Sequence, residues 1–231
     1  MKYDAVIFDL FGTLVDNFDS RGYHAMLAEM SGAIEAETEA FRRGWTDRLM
    51  LERRFKGELA TPADTIRLLC AQLGLSPPPA SVQRAQEIRL GFTRRALTPR
   101  PDAVDALTGL RQAGLKLALL SNCSGDVPHF WPQTPLAGLF DAVLLSCREG
   151  MVKPEPAFYA LACERLDVPA QRCLYVADGD GDELTGARRA GMTAVLLCAP
   201  HEKDLIMARP QARDWTGPII EYPSDVLRLV R

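Results

Sequence analysis

The chain has 231 residues, enough for one full-size domain with a smaller one inserted into it. Its 27 basic against 30 acidic side chains leave a net charge of −3, which argues against a polyanion-binding surface and so against nucleic acid as a partner. Hydrophobic residues at 47% and charged residues at 25% exclude disordered and fibrous classes, and no apolar run is long enough to cross a bilayer.

The first apolar run, Ala5-Val6-Ile7-Phe8, stops at Asp9. With acidic residues inside the N-terminal stretch and no small-residue cleavage site after it, it reads as a strand and not an export signal, predicting a cytoplasmic protein. From 16 to 98 no strand-like run occurs. Phe41, Trp45 and Leu49 mark one amphipathic helix and Ile66, Leu69, Cys70 and Leu73 another, and Ser76-Pro77-Pro78-Pro79 interrupts the helical pattern. From Pro99 onward strands and helices alternate. Ala103, Leu107 and Leu110 space a helix, with Asp102 as N-cap candidate and Gly114 as terminator. Leu117 to Leu120 stops at Ser121, and Ala142 to Leu145 stops at Ser146. Phe158, Leu161, Ala162 and Leu166 form a helix behind Pro156. Leu174 to Ala177 stops at Asp178, a short helix from Glu183 is closed by Gly191, and Ala194 to Leu197 is a fifth run. Ile219-Ile220 and the stretch from Ser224 read as a short strand and a closing helix. Unbroken apolar runs fit strands covered on both faces, so the prediction is an α/β fold: a doubly wound parallel sheet formed by 1–15 and 99–231, with a helical insert at 16–98.

In open α/β sheets ligands collect at the carboxyl ends of the strands. Asp9, Ser121 and Asp178, with Ser146 nearby, should therefore share one rim, and Lys153 lies in the loop Met151-Val152-Lys153-Pro154. A lone aspartate after a strand is commonly a helix cap. Two of them with a lysine point instead to chemistry, because adjacent carboxylates need a cation to stay ionised.

Asp9-Leu10-Phe11-Gly12-Thr13-Leu14 resembles the first motif of the haloacid dehalogenase-like (HAD) superfamily. Leu120-Ser121-Asn122 resembles its second, Lys153-Pro154 its third, and Val176-Ala177-Asp178-Gly179 with the following acidic pair and Gly186-Ala187 its fourth. All four occur in order, each after the matching strand. The insert is similar in place and size to a type 1 cap, and the interval from Asn122 to Lys153 leaves no room for a second cap. The resemblance implies that Asp9 is the nucleophile of a covalent aspartyl intermediate. It implies that Thr13 and Ser121 donate hydrogen bonds to substrate oxygens, that Phe11, Gly12 and Asn122 belong to the substrate-binding loops, and that Lys153 neutralises charge on Asp9. It further implies a Mg²⁺ held by Asp9, the Phe11 carbonyl and Asp178. The expected substrate is a small molecule, most simply a phosphorylated metabolite, and the expected assembly a monomer or homodimer.

Phosphatases of the superfamily usually carry a second aspartate two residues after the nucleophile as general acid and base; here that residue is Phe11. Three readings follow. The first is a Mg²⁺-dependent phosphatase, supported by Asp178 and by the further carboxylates Asp180, Asp182 and Glu183. The second is a metal-free 2-haloacid dehalogenase, which also lacks the second aspartate, shows Ser-Asn in the second motif and takes a cap arginine (Arg42, Arg43 or Arg48) for the substrate carboxylate. The third is a relative that binds a phosphorylated ligand without turnover. A phosphonate-cleaving relative would need a cap lysine, for which only Lys56 is available. The basic run Arg42, Arg43, Arg48, Arg53, Arg54, Lys56 reads first as a solvated helix face, the alternative being that part of it meets an anionic substrate where such a cap closes over the core site. Phe11 is placed to pack against the cap and shape the pocket. The six cysteines read as buried thiols, with Cys123 beside the second motif, and Trp131 as a loop anchor or dimer contact.

Overall fold

In the computed structural model, which describes residues 2–230, six parallel strands form one sheet. They are β1 (Ala5–Phe8), β2 (Lys116–Ser121), β3 (Ala142–Leu145), β4 (Cys173–Ala177), β5 (Thr193–Leu197) and β6 (Ile219–Ile220), in the order β3-β2-β1-β4-β5-β6. The five predicted runs are the five longer strands. Their side chains alternate between two buried layers. Val6, Phe8, Leu117, Leu119, Val176 and Val195 pack with Ala103, Leu107, Leu110 and Val226 on one face. Ile7, Ala118, Leu120, Tyr175 and Ala194 pack with Phe158, Tyr159, Ala162, Leu184 and Ala187 on the other. Burial on both faces is why the runs show no polar alternation.

Within the insert the chain makes five helices, α1 (Ser20–Ala33), α2 (Thr38–Thr46), α3 (Arg48–Phe55), α4 (Pro62–Gln72) and α5 (Pro79–Ala96). They enclose a core of their own from Leu27, Met30, Phe41, Trp45, Ile66, Leu69 and Ala85. The expected helix through Phe41, Trp45 and Leu49 is in fact two. Asp47 takes an extended backbone, its carboxylate accepts from the N–H groups of Leu49 and Met50, and α3 starts anew, leaving Leu49 63% exposed. The remaining helices are α6 (Ala103–Gln112), α7 (Val127–Phe130), α8 (Ser146–Glu149), α9 (Pro156–Leu166), α10 (Glu183–Arg189), α11 (Lys203–Met207), α12 (Pro210–Arg213) and α13 (Val226–Leu229). Asp102 does not cap α6 with its side chain; it accepts from the Ser224 N–H and so ties α6 to the C-terminal segment. Trp131 is buried in the core beside Phe140, which removes it as a surface contact.

The insert is fastened where it leaves and re-enters. Val15 pairs with Pro99, the Arg100 N–H donates to the Leu14 carbonyl, and the Arg100 guanidinium reaches the Gly12 carbonyl at 3.0 Å and pairs with Glu202. No described helix is long and apolar enough to cross a membrane.

Candidate active site

The register fixes the rim. Phe8 pairs with Leu119 of β2 and Val176 of β4, so Asp9 emerges between the ends of both strands, with its N–H donating to the Val176 carbonyl. The chain then turns at once: the Leu10 carbonyl accepts from Thr13, Leu14 and Val15. Gly12 has φ +76°, and a Cβ there would lie 1.9 Å from Asp178 Oδ2, so a glycine is required both by the turn and by the carboxylate packed against it.

Five predicted residues, Asp9, Thr13, Asn122, Lys153 and Asp178, meet at this point. Lys153 Nζ lies 2.5 Å from Asp9 Oδ1 and 2.5 Å from Glu183 Oε2, and Thr13 Oγ1 donates to Asp9 Oδ2 at 3.2 Å. Asn122 holds the lysine's backbone, donating to the Lys153 carbonyl and accepting its N–H. Glu183 is the acidic residue of the fourth motif that turns inward. Its oxygens accept from Lys153, from the Tyr175 hydroxyl at 2.7 Å and from the N–H groups of Gly179 and Asp180. Asp182, at φ +61° after Gly181 at +56°, is thrown outward with Asp180 by that turn. Asp178 is buried, and its Oδ2 accepts from Asn17 Nδ2 at 2.9 Å and from the Arg209 guanidinium.

Three carboxylates surround two cations, so the buried cluster carries one negative charge in excess only when all three are ionised. Burial pushes Asp9 above the usual carboxylate range; Lys153 pulls it back and the Asp178 charge adds to the rise. Burial likewise raises Glu183, to about 8, against Lys153 and with Asp9 and Asp178. Burial alone would discharge Lys153, but Asp9 and Glu183 outweigh it and keep the ammonium protonated far above its ordinary range.

A cavity of about 340 Å³ opens over Asp9, Lys153, Asp178 and Glu183, and its far side belongs to the insert. Phe11 lines it and packs on Phe18 at 4.7 Å, Phe18 stacks on Tyr23, and Leu51 and Phe55 complete an apolar wall. Two insert arginines line it, and they are not the expected ones. Arg42 pairs with Glu39 on the surface and Arg43 and Arg48 are exposed, whereas Arg54 and Arg89 are each 4% exposed. Arg89 is committed to Asp126, 2.7 Å away. Arg54 donates to the Trp45 carbonyl at 2.8 Å and lies 4.5 Å over the Trp45 ring, but its buried Nε has no partner. Burial pushes it down, to about 10, so it remains charged at neutral pH. Lys56, the remaining cap cation considered, pairs with Glu52 and Glu155 instead of facing the cavity.

Ser121, at the end of β2, is fully buried with an unpaired Oγ and is not among the residues lining the cavity, and Thr13 donates its hydroxyl to Asp9. Ser146 lies behind the rim, bonded to the Cys123 backbone. Asn17, Arg54, Tyr175 and Arg209 were not singled out from the sequence. Arg54 stood unmarked within the basic run, and Arg209, just ahead of the proline that opens α12, follows the last motif with no pattern of its own.

Asp9, Asp178 and Glu183 each offer an oxygen within 4.8 Å of the others, an all-oxygen set that suits a hard divalent cation in chemistry and number. To take one, Asp178 must be shared with or released from Arg209.

A family model for haloacid dehalogenase-like hydrolases matches residues 3–191. An (S)-2-haloacid dehalogenase of Pseudomonas putida is 26% identical over 196 residues, 81% of this chain and 82% of that enzyme. A phosphatase of Mycobacterium tuberculosis is 32% identical over 199 residues, 85% of this chain and 88% of that protein. The structure of L-2-haloacid dehalogenase from Xanthobacter autotrophicus with chloropropionic acid covalently bound superposes with a TM-score of 0.65 at 26% identity, covering 99% of this chain and 98% of that one.

Proposed function

The chain belongs to the haloacid dehalogenase-like hydrolases, and within that family we propose that it hydrolyses a small 2-substituted carboxylic acid whose substituent leaves as a stable anion, a 2-haloacid being the simplest case. The observation that carries this reading is Phe11. Two residues past the nucleophile stands an aromatic ring packed on Phe18, where a phosphatase needs an acid to protonate its departing alcohol. Such an acid contributes roughly 10² to 10⁴ in rate, and a halide leaves without one.

In this reading the guanidinium of Arg54, which lines the cavity, takes the substrate carboxylate, the aromatic wall takes the alkyl group, and C2 is presented to Asp9. The Asp9 oxygen forms a bond to C2 as the carbon–halogen bond breaks and the halide departs with its electron pair. Lys153 and Thr13 hold the carboxylate in place during attack. Water then adds to the carbonyl carbon of the Asp9 ester, and Glu183, whose raised affinity for protons suits a base at neutral pH, accepts the proton. The 2-hydroxy acid leaves, Asp9 is restored and the proton passes to solvent. The test is halide release from 2-chloropropionate in the presence of a chelator. In a single turnover in heavy-oxygen water the product hydroxyl should carry ordinary oxygen, delivered from Asp9. No halide release over a panel of 2-haloacids would overturn the reading.

One observation favours a second reading. The Asp9–Asp178–Glu183 set carries excess negative charge and includes Asp178, the acid that a metal-dependent phosphatase retains, and one relative of similar coverage is a phosphatase. Mg²⁺ held by these carboxylates would supply charge neutralisation at a transferring phosphoryl group. Asp9 would then attack phosphorus, and Arg54 would hold an anionic group elsewhere on the substrate. Phosphate release from phosphorylated metabolites that needs Mg²⁺ and is absent in Asp9→Asn would establish this reading over the first.

A further inference from the structure

Beyond the reaction, the surroundings of Asp178 decide how the site responds to metal. Arg209 precedes α12, and its guanidinium spans two hydrogen-bond partners: Nη1 pairs with Asp178 Oδ2 and lies 3.3 Å from the Asp178 carbonyl, while Nη2 donates to Asn17 Oδ1 at 3.1 Å; its Nε also lies 3.9 Å from the exposed carboxylate of Asp180. Asn17 turns its amide Nδ2 back onto the same Asp178 oxygen, closing a three-membered ring of contacts. The other side of that oxygen is filled by the Gly12 backbone, where even a methyl group has no room. Asp178 Oδ1 accepts from the Asp180 N–H at 3.3 Å. Burial works against the Arg209 cation, but the Asp178 charge more than restores it.

We propose that Arg209 is the resident cation of the carboxylate cluster and that it competes with divalent metal for Asp178. With Arg209 in place, two cations face three carboxylates; without it, only Lys153 remains to face them, and the cluster is left short of a cation that a divalent ion can supply. The planar guanidinium suits this role because it can bond Asp178 and Asn17 at once, which a lysine ammonium on a flexible stem does not do with the same geometry. Arg209 is thus a specificity-determining residue for the metal, and this holds whichever substrate the enzyme takes.

The test is Mn²⁺ binding to the whole chain without substrate, read from the electron-spin resonance signal of the free ion. Arg209→Gln should bind Mn²⁺ at least ~10-fold more tightly than the wild type, as expected for removing a close charge pair. Adding Asp178→Asn to that variant should abolish the gain, locating the ion. Asn17→Ala keeps the charge but removes the second anchor of the guanidinium, and should give a smaller gain; it carries the test if Arg209→Gln does not fold by circular dichroism. Equal affinity in the wild type and these variants, binding by none of them, or a gain that survives Asp178→Asn would overturn the proposal. Because no turnover is read, such a failure is distinct from failure of either proposed reaction.

Discussion

The sheet domain and the helical insert treat buried charge differently. Among the described residues of the sheet domain, Asp9, Lys153, Glu183, Asp178, Arg100 and Glu202 are buried in pairs, each within reach of an opposite charge. The insert buries two arginines. Arg89 crosses to Asp126 of the sheet domain, while Arg54 has no ion pair among the described residues and meets the Trp45 carbonyl and ring at the edge of the cavity. A guanidinium left without an anion in an enclosed site costs stability unless something else compensates. In the proposed reaction this becomes a division of labour: the reacting groups are satisfied by one another, and the recognition group is left for the substrate to satisfy.

Substitutions can break or sharpen this contrast. The largest effect is expected on the reacting side. Asp9→Asn should lower kcat by roughly 10⁴-fold or more, as loss of a covalent nucleophile does, with the circular dichroism spectrum unchanged. Next, Phe11→Asp restores an acid beside the leaving group; phosphomonoester hydrolysis with Mg²⁺ should rise by about 10², measured as phosphate release, while unchanged turnover and specificity would show that Phe11 does not control the chemistry. On the recognition side, Arg54→Ala should raise KM for a 2-haloacid by about 10 to 10² with a smaller change in kcat, the range for a charged hydrogen bond. Arg42→Ala and Arg43→Ala, on the outer face, should leave KM unchanged. The smallest effect concerns pH. Because burial and its neighbours' charges raise Glu183 to about 8, it holds a proton below that pH and cannot then accept one from the attacking water, so turnover should rise with pH through that range. Glu183→Gln removes one negative charge beside Asp9 and should move the rising limb of single-turnover ester formation down by about one pH unit.

The same contrast explains what could be read from the sequence. The strands were legible because both faces are buried, so Ala5–Phe8 or Leu117–Leu120 stand out as unbroken apolar runs, and the acids that end them mark the rim. Asp9, Ser121 and Asp178 come from this logic, with Lys153 in a neighbouring loop, whereas Thr13 and Asn122 follow from the resemblance of their motifs. Which fourth-motif acid turns inward was not legible, since it depends on two successive left-handed residues, Gly181 and Asp182, that carry Asp182 away and bring Glu183 in. In the insert, the break at Asp47 rotates α3 relative to α2 and thereby decides that Arg54, among several arginines of equal standing in the sequence, faces inward. Arg209 escaped notice because α11 and α12 are too short to show a period. Ser121 was placed correctly at its strand end, but a strand position does not reveal whether a hydroxyl opens toward solvent or into the sheet.

The seam where Val15 meets Pro99 has an evolutionary corollary. The insert departs and returns through adjoining backbone, anchored by Arg100 to the Gly12 and Leu14 carbonyls. Since the entropy of closing a segment grows only slowly with its length, the doorway tolerates excursions of very different size. Transplanting a foreign excursion between those two residues would retool selectivity while the catalytic floor stays as it is, and the graft junctions should be drawn there and not at the first helix.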